Sequence, residues 1–397
     1  MADKKAPVLT DAIKSYDGIF KGMYDDNLRE KFLNIRRLLA EGQLKNAQTL
    51  LEESLSKSGE HPSDRSTLKL LKCELDRYVT FHITNNGEIV KDVNWTEVST
   101  RKLERLTEKH WALPQSVFFL TFNIGPSKYR LVGRKILSDL WIQNRIPEIH
   151  CSFVSAGMIL GVFSDQRITE TFVNVFYHPL TNGEKLSVMK DITNHKIENV
   201  ELVFPFSLLR ESTRKELCSP SEGWVVDDAF DVMLGCGEER IRAYTIKFLK
   251  TLNTQKLVLF DPACSTGVFL STLKKTFPES FTIGQDLSKQ MVGFSKTRVD
   301  EVHCGNAMEP KISPASADVV FIRFLNSEVV TSAEAEQLIG ALLPTVKKGG
   351  YMVIFGHTPV LLSSANFSLI ENFVVKHCIG IADDKSGIFQ YYSLQRQ

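Results

Sequence analysis

Two aspartates, Asp261 and Asp286, each follow directly on a predicted strand. Asp261 closes the apolar run 257–260 and precedes residues 262–267, Pro-Ala-Cys-Ser-Thr-Gly, whose small side chains allow a ligand to approach the backbone. Asp286 closes a second strand at 281–285, where a carboxylate of a doubly wound α/β sheet can bind both hydroxyls of a ribose. The pair therefore indicates a ligand that contains a nucleoside.

Further segments complete such a sheet in chain order. A third strand at 302–304 leads into a turn with Asn306 and Ala307 at its tip. A fourth strand at 318–324 is a continuous apolar run, which only a sheet covered on both faces would bury. The remaining segments are a helix at 333–343, a Gly-Gly turn with a fifth strand at 346–355, a crossover helix at 367–373 and a last strand at 388–394.

This order of segments resembles the class I S-adenosylmethionine-dependent methyltransferases over residues 240–397, and the order is more specific than any single motif. A dinucleotide-binding fold is less compatible, because its glycine fingerprint is absent. The resemblance implies an antiparallel last strand, S-adenosylmethionine as cofactor or substrate, and no metal. It also implies a cofactor site made by Asp261, Ala263, Ser265, Thr266, Gly267, Asp286, Leu287, Asn306, Ala307 and Arg323, with Asn306 and Ala307 facing the adenine.

The loop after Asp261 departs from the alternating glycines that are usual in that superfamily. Its small side chains still permit close approach of a ligand, and Ser265 and Thr266 add hydroxyls that can bind the methionine carboxylate. The alternative is that both residues only cap the helix that starts near Val268. The two interpretations are compatible.

Composition limits the class of partner. The 397 residues suffice for two domains, and a net charge of +1 argues against a broadly basic nucleic-acid binder. The seven scattered cysteines have no paired spacing typical of metals or disulfides. No signal peptide or membrane-length apolar stretch is present. We therefore predict a cytoplasmic enzyme with a small-molecule substrate and no nucleic-acid or membrane partner, and the oligomeric state stays open.

The first part of the chain is less regular. Apolar residues at helical spacing predict a helical hairpin over 28–39 and 44–55 and a third helix over 63–78. The later pattern predicts a strand at 116–122, an amphipathic helix at 131–143, helix and strand candidates without a clear order at 155–163 and 165–178, a turn at 182–183 and a strand at 199–204.

The predicted fold class is therefore α/β: a doubly wound, Rossmann-like methyltransferase sheet preceded by a large, mainly helical lid or substrate segment. The predicted domains are a helical bundle at 1–110, a lid or substrate-shaping α+β segment at 111–227 and the cofactor-binding domain at 228–397. An added segment of this size commonly covers the mouth of the sheet, where ligands of open α/β folds bind.

Residues 234–240, Leu-Gly-Cys-Gly-Glu-Glu-Arg, imitate a glycine-rich cofactor loop, but no long apolar strand precedes them. We interpret them as a false signal before a helix. From that helix, Arg240 or Arg242 can reach the methionine carboxylate and Tyr244 can line the cofactor site. A solvated charged face with Tyr244 in the core is an equal alternative.

Tyr177 and Ser207 are the main catalytic candidates, and Asn144 is a weaker one. Tyr177 and Ser207 each present a polar group after aromatic residues near a proline, an arrangement that can line a pocket with π faces and offer a hydrogen-bond partner. Polarity at a surface or turn is the simpler explanation for each of the three.

The long N-terminal segment, the small-residue loop and the region of Tyr177 and Ser207 are similar to the azetidine-2-carboxylate synthases. That resemblance implies cyclisation of S-adenosylmethionine, in which the α-amine attacks the γ-carbon and 5'-methylthioadenosine leaves. It also implies that Tyr177, Ser207 and Asn144 bind the amine. The alternatives are methyl transfer to a small molecule and a binding domain without catalysis; the sequence after the fourth strand lacks the Asn-Pro-Pro-aromatic motif of base and amide N-methylation.

Overall fold

The computed structural model describes the main part of the chain, with gaps. The described residues are 30–31, 34–35, 38, 44–57, 72, 90–109, 117–134, 154–194, 196–207, 215–216, 220–224, 226, 231, 239–254, 256–323, 325–326, 329–356, 360–382 and 387–397. They divide into two compact units. The larger unit falls within Trp95–Lys135, Cys151–Pro179 and Met189–Gln397, and the smaller unit within Met1–Asn94, Ile136–His150 and Leu180–Val188.

The helices of the described residues are short. They are α1 Leu44–Lys57, α2 Trp95–Val98, α3 Asn182–Thr193, α4 Glu239–Lys250, α5 Val268–Thr276, α6 Lys289–Ser295, α7 Ser332–Leu342 and α8 Ser364–Phe367, with 3-10 turns at Ala156–Met158 and Leu343–Thr345. Within the described ranges, each helix is too short or too polar to traverse a lipid bilayer.

The strands form two sheets, both in the larger unit. The first contains β1 Glu104–Lys109, β2 Val117–Ile124, β3 Ser127–Arg134, β5 Ile159–Ile168, β6 Phe172–Pro179 and β7 Glu198–Val203. The second contains β4 Val154–Ser155, β8 Val258–Asp261, β9 Phe281–Asp286, β10 Glu301–Cys304, β11 Ala317–Ile322, β12 Val346–Phe355, β13 Phe373–Ala382 and β14 Gly387–Arg396.

The second sheet is doubly wound and has the strand order β10-β9-β8-β11-β12-β14-β13. Strands β8 to β12 are parallel, whereas β14 is antiparallel to both β12 and β13. Chain order reverses between β8 and β11, so the loops after these two strands open at the topological switch point, where ligands of open α/β sheets bind. The predicted fold class is confirmed for this part of the chain, including the antiparallel last strand.

The parallel strands form because their residues can be buried on both faces. β11 is almost entirely buried, and α7 covers one face with Ala335, Leu338, Ile339 and Leu342 at helical spacing. The start of α7 is fixed by a capping box, in which the Thr331 hydroxyl and the Glu334 carboxylate exchange hydrogen bonds with the backbone.

The first sheet is antiparallel and has the order β1-β6-β5-β3-β2-β7. Its inner face contains a cluster of Val117, Phe119, Val132, Val173, Val175 and Tyr177, which we name the aromatic-aliphatic cluster. The described part of residues 104–203 therefore contains more strand than the sequence analysis expected, although the predicted strands at 116–122 and 199–204 are confirmed by β2 and β7.

Several predicted elements need correction. The helix predicted from residue 131 is wrong for residues 131–134, which belong to β3; residues 135–143 lie outside the described part. The overlooked signal is the Gly125-Pro126 turn, because Gly125 has a φ of 55° and joins β2 to β3 as a tight hairpin. The turn predicted at 182–183 is the first turn of α3, where the Glu184 carboxylate accepts hydrogen bonds from Thr181.

The crossover helix predicted at 367–373 is also wrong. The helix α8 ends at Phe367, and β13 begins at Phe373. Residues 155–163 and 165–178 are resolved into a 3-10 turn followed by β5 and β6. Of the predicted N-terminal helices, α1 confirms the one at 44–55, and most of the other two lie outside the described residues. The predicted domain boundaries stay predictions.

Polar side chains join the two sheets of the larger unit. The buried Gln390 on β14 accepts a hydrogen bond from Leu202 N at 2.6 Å and donates one to Val200 O at 3.3 Å. The Glu201 carboxylate on β7 accepts hydrogen bonds from Ser364 N, from the Ser364 hydroxyl and, at 3.0 Å, from the Tyr392 hydroxyl. The first sheet is therefore fixed to β14 by β7.

Replacement of Glu201 tests this connection. Glu201→Ala leaves three donors at the junction without their acceptor, and we expect a loss of about 2–4 kcal/mol in the free energy of unfolding. Urea unfolding followed by circular dichroism measures it. Glu97→Ala, which removes a 54% exposed partner of Arg101, is the control and should cost no more than about 0.5 kcal/mol. Equal urea midpoints for Glu201→Ala and Glu97→Ala would contradict the role of Glu201 in joining the two sheets.

Candidate functional site

The centre of the candidate site is the buried carboxylate of Asp261 at the end of β8. It has no solvent exposure, and its Oδ2 accepts a hydrogen bond from Arg323 Nε at 2.8 Å. Its Oδ1 accepts one from Ala263 N at 3.1 Å. The Arg323 guanidinium lies 4.8 Å from the centre of the Phe269 ring. The ion pair thus joins the ends of the two strands that flank the switch point.

The Asp286 carboxylate ends β9 and binds the loop after β8. Ser265 N donates to Oδ2 at 2.8 Å and Ser288 N to Oδ1 at 2.9 Å. Burial raises the pKa of the Asp286 carboxyl above its usual value, and the two backbone hydrogen bonds partly offset that rise. Each oxygen keeps a lone pair for another donor, so both can accept a hydrogen bond from a ribose hydroxyl.

The loop lies close against β9. Cys264 N donates to Gln285 O at 2.8 Å, and a Cβ placed on Gly284 would lie 2.7 Å from the Cys264 sulfur. Ser265 adopts a φ of 53° and Gly267 one of 81°. No side-chain hydrogen bond caps α5 at Gly267. The Ser265 hydroxyl donates instead to the Met291 sulfur at 3.3 Å, which leaves the methionine-carboxylate interpretation of Ser265 as a prediction.

The turn after β10 completes the edge of the sheet. Gly305 N donates to Asp286 O at 3.0 Å, and Gln285 Nε2 donates to Asn306 O at 2.7 Å. Asn306 is exposed and Ala307 half-buried, while Leu287 is 38% exposed beside Asp286. The structure therefore gathers the predicted cofactor residues of the loop, the second strand and the third strand at one edge.

A segment before α4 also contacts this edge, and sequence reasoning missed it. The Ser288 hydroxyl donates to Trp224 O at 2.7 Å, and Val226 N donates to Gln290 Oε1 at 2.9 Å. We call Gly223, Trp224, Val226 and Asp231 the strap. The glycine at 223 is a weak sequence signal for the strap. Glycine is required there because φ is 80° and a Cβ would lie 2.8 Å from Ser288 N.

The strap is held at its other end by an ion pair. The Asp231 carboxylate binds Arg298 through two hydrogen bonds, of 2.7 and 2.6 Å. Arg298 also donates to Thr266 O at 2.9 Å, in the loop after β8. The hydrogen bonds from Arg298 hold the pKa of the Asp231 carboxyl below its usual value, against the effect of burial. Strap and cofactor loop are therefore connected through Arg298.

The three catalytic candidates have different surroundings. Tyr177 belongs to the aromatic-aliphatic cluster, and its hydroxyl donates to Glu104 Oε2 at 3.0 Å. The Ser207 and Ser332 hydroxyls are 2.7 Å apart, which places Ser207 at the first turn of α7. Phe206, the neighbour of Ser207, packs against the cluster that contains Tyr177. Asn144 lies outside the described residues.

The three cofactor candidates on α4, the helix before β8, differ in their exposure and contacts. Arg240 is exposed and Arg242 half-buried on α4. The Tyr244 ring packs edge-on against Tyr391 at a centroid distance of 5.0 Å, next to the buried Ile241. Tyr244 thus packs in the core, and its role in lining the cofactor site stays a prediction. Residues 234–238 of the glycine-rich string lie outside the described part.

The donor set at this edge fits an adenosine-containing molecule. The Asp286 carboxylate suits the ribose diol, and the turn at Asn306 offers backbone and amide groups to a base. When bound there, S-adenosylmethionine would supply an electrophilic carbon on a sulfonium. In the described part of the chain, no group of three or more His, Cys, Asp or Glu side chains is arranged to hold a metal ion.

Substitution of Asp286 tests the ribose site. We expect Asp286→Ala to weaken the binding of S-adenosylhomocysteine at least about tenfold, because a buried ribose would lose a charge-assisted acceptor. Isothermal titration calorimetry measures the affinity. The control is Glu309→Ala, which removes a carboxylate with a 76% exposed side chain close to the same turn. An unchanged affinity in Asp286→Ala would rule out the assignment of this carboxylate to the ribose.

The strap ion pair predicts a dependence of stability on pH. The folded-state pKa of Asp231 is lowered, so its contribution to stability is present above the unfolded pKa and disappears as the pH falls through the folded pKa. Asp231→Asn should therefore unfold at a lower urea concentration than the wild type at pH 7, with a difference that narrows below about pH 4. Asp165→Asn is the control, since Asp165 is exposed and 3.9 Å from its partner Arg167. A difference in urea midpoint between Asp231→Asn and the wild type that stays constant with pH would contradict the prediction.

Comparisons with known proteins identify a family and several similar structures. Residues 259–350 match a protein family described as a methyltransferase domain. Among solved structures, the magnesium protoporphyrin IX methyltransferase of Synechocystis PCC 6803 with bound S-adenosylmethionine has 13% identity and a TM-score of 0.35, over 44% of this chain and 86% of that one. A methyltransferase from Aquifex aeolicus has 14% identity and a TM-score of 0.34, over 44% of this chain and the full length of that one.

The sequence match to a curated protein is stronger. The chain is 34% identical over 306 residues to isonocardicin synthase of Nocardia uniformis subsp. tsuyamanensis, which covers 76% of this chain and 98% of the relative. This sequence match agrees with two other findings. They are the strand order of the second sheet and the match of residues 259–350 to a methyltransferase domain. The chain belongs to the class I S-adenosylmethionine-dependent methyltransferase superfamily, in the family that contains isonocardicin synthase.

Proposed function

We propose that this protein cyclises S-adenosylmethionine to azetidine-2-carboxylate and releases 5'-methylthioadenosine. In this reaction the α-amine nitrogen forms a bond to the γ-carbon, and the bond between the γ-carbon and sulfur breaks. The electron pair of that bond leaves with the sulfur, which neutralises the sulfonium. The nitrogen loses one proton. One substrate therefore gives two products without an acceptor or a metal.

The observation that carries this proposal is the position of Ser207. The segment before the doubly wound sheet brings the Ser207 hydroxyl to 2.7 Å from the Ser332 hydroxyl, at the first turn of α7. That turn follows β11, whose end supports Arg323 at the centre of the cofactor edge. This position supports the proposal, because it brings a polar group from outside the cofactor fold to the helix that follows β11.

Cyclisation makes a specific demand on the protein. The carboxylate of S-adenosylmethionine can attack the same γ-carbon and close a less strained, five-membered lactone. An azetidine-forming site must therefore direct the amine to the γ-carbon and hold the carboxylate away from it. In the proposal, hydroxyls such as that of Ser207 bind the amine, while the loop hydroxyls and an arginine hold the carboxylate.

The Tyr177 hydroxyl suits a site for an amine. Burial and the Glu104 carboxylate raise its pKa to about 12, so the phenol stays neutral at physiological pH. Its proton is donated to Glu104, which leaves lone pairs on the oxygen for an N–H donor. The rings of Phe119 and Phe163 in the same cluster already pair with a cation of the protein, because the Arg130 guanidinium lies 3.8 and 4.6 Å from their centres.

Methyl transfer to a small molecule is the alternative, and the match of residues 259–350 to a methyltransferase domain favours it. Both reactions use the same cofactor pocket and differ in which carbon–sulfur bond breaks. The relative at 34% identity is named isonocardicin synthase, and this name specifies neither reaction. The position of Ser207 supports cyclisation over methyl transfer.

The products of S-adenosylmethionine distinguish the two reactions. We expect the purified protein, without any acceptor, to form 5'-methylthioadenosine and azetidine-2-carboxylate in equal amounts, as measured by mass spectrometry. Asp286→Ala at the same substrate concentration is the matched control and should form less of both. Substrate that stays intact until an acceptor is added, and then gives S-adenosylhomocysteine, would replace the proposal with methyl transfer.

A further inference from the structure

Three polar side chains meet where α7 begins. The Ser332 hydroxyl donates to Glu216 Oε1 at 2.7 Å, and Ser332 N lies 3.3 Å from both oxygens of the same carboxylate. The Ser332 and Ser207 hydroxyls are also 2.7 Å apart. These contacts link a residue before the cofactor fold, the catalytic candidate and a helix of the fold.

The direction of these hydrogen bonds follows from the number of protons. An ionised carboxylate only accepts hydrogen bonds, and each serine hydroxyl has one proton to donate. The single proton of Ser332 is committed to Glu216, so Ser332 can only accept from Ser207. Ser207 consequently donates its own proton to Ser332, and its lone pairs are left for a donor from outside.

Two of the three members of this chain of hydrogen bonds, Ser332 and Glu216, are held in a defined state. The capping box of Thr331 and Glu334 holds the backbone on which Ser332 stands. Burial raises the pKa of Glu216, but hydrogen bonds to this carboxylate outweigh it, so the pKa lies below its usual value. Glu216 is therefore ionised at neutral pH and cannot reverse the direction of the chain.

We propose that Glu216, acting through Ser332, is a positioning residue that makes the Ser207 oxygen an acceptor for an N–H of the S-adenosylmethionine α-amine. The inference rests on the proposed function, which assigns Ser207 to the amine. An amine that donates one N–H to Ser207 has a fixed orientation, and its lone pair is then directed to the γ-carbon. Glu216 is thus a determinant of which group of the substrate attacks.

The competing reaction supplies a sensitive test. When the amine is not oriented, the carboxylate oxygen attacks the γ-carbon and the same carbon–sulfur bond breaks, which gives homoserine lactone and 5'-methylthioadenosine. The lactone hydrolyses to homoserine. The ratio of azetidine-2-carboxylate to homoserine plus its lactone therefore reports the orientation of the amine, and a simple loss of folded protein would leave that ratio unchanged.

The experiment uses the full chain with S-adenosylmethionine and measures this ratio by mass spectrometry. We expect Glu216→Gln and Ser332→Ala each to lower it about tenfold, the value of one hydrogen bond. A neutral amide donates as readily as it accepts, so Glu216→Gln no longer imposes a direction on the hydrogen bonds.

In the double variant, the product ratio should fall no further than in Ser332→Ala, because Glu216 acts through Ser332. Ser332→Thr, which keeps the hydroxyl, should restore the ratio.

Two controls separate this role from folding and from binding. Glu222→Gln neutralises an exposed glutamate nearby and should leave the ratio unchanged. Calorimetric titration with 5'-methylthioadenosine, which lacks the α-amine, should give affinities within about twofold of the wild type, because the hydrogen-bond chain lies outside the ribose site.

The failures of the two proposals are distinguishable. If the wild type forms azetidine-2-carboxylate and Glu216→Gln forms it with the same product ratio, the positioning role is refuted and the proposed function stands. If Glu216→Gln and Ser332→Ala have additive effects, Glu216 does not act through Ser332. If the wild type forms no azetidine-2-carboxylate, the proposed function fails and the inference fails with it.

Discussion

The carboxylate of Asp261 is closed off from solvent, and a charge in that position has to be compensated within the protein. Arg323 supplies the counter-charge from the end of β11, and Ala263 N supplies a hydrogen bond from the loop. Removal of either partner from such a pair is costly, because an uncompensated charge would stay buried. The backbone ladder sets the spacing of the neighbouring strands β8 and β11, and the ion pair holds together the chain beyond their ends. Ala263 N ties the loop to the same carboxylate, and on the path that the loop then takes Ser265 N reaches the Asp286 carboxylate.

The parallel sheet could be predicted from the sequence because its strands are buried on both faces and are written as continuous apolar runs. Asp261 and Asp286 were identifiable for the same reason, since each directly follows such a run. The antiparallel sheet gave weaker signals: residues 131–134 have an apolar pattern that suits a helix as well as β3, and only the tight turn at Gly125 distinguishes them.

Contacts between distant segments were not readable from the sequence. Asp231 and Arg298 are separated by 67 residues, and Ser332 and Glu216 by 116. No periodicity or local motif links such pairs, because tertiary packing alone brings them together. A single charged residue in a loop has the same appearance whether it is solvated or, like Asp231, buried against a partner. The sequence therefore predicted the nucleoside half of the site better than the half that the proposed reaction needs for the amino acid.

The connection between β7 and β14 has a consequence for how this protein folds. Leu202 N and the Gln390 side chain are separated by 188 residues, and β4 pairs with β14 over a still longer stretch of chain. Contacts of such sequence separation carry a high loop-closure entropy and slow the search for the native state. During synthesis, β7 is made long before β14. Until β14 is made, Leu202 N and Val200 O on β7 lack their native partner, the Gln390 side chain. The protein is therefore expected to depend on slow, late docking of the two sheets, a stage at which an unpaired strand edge is open to association with other chains.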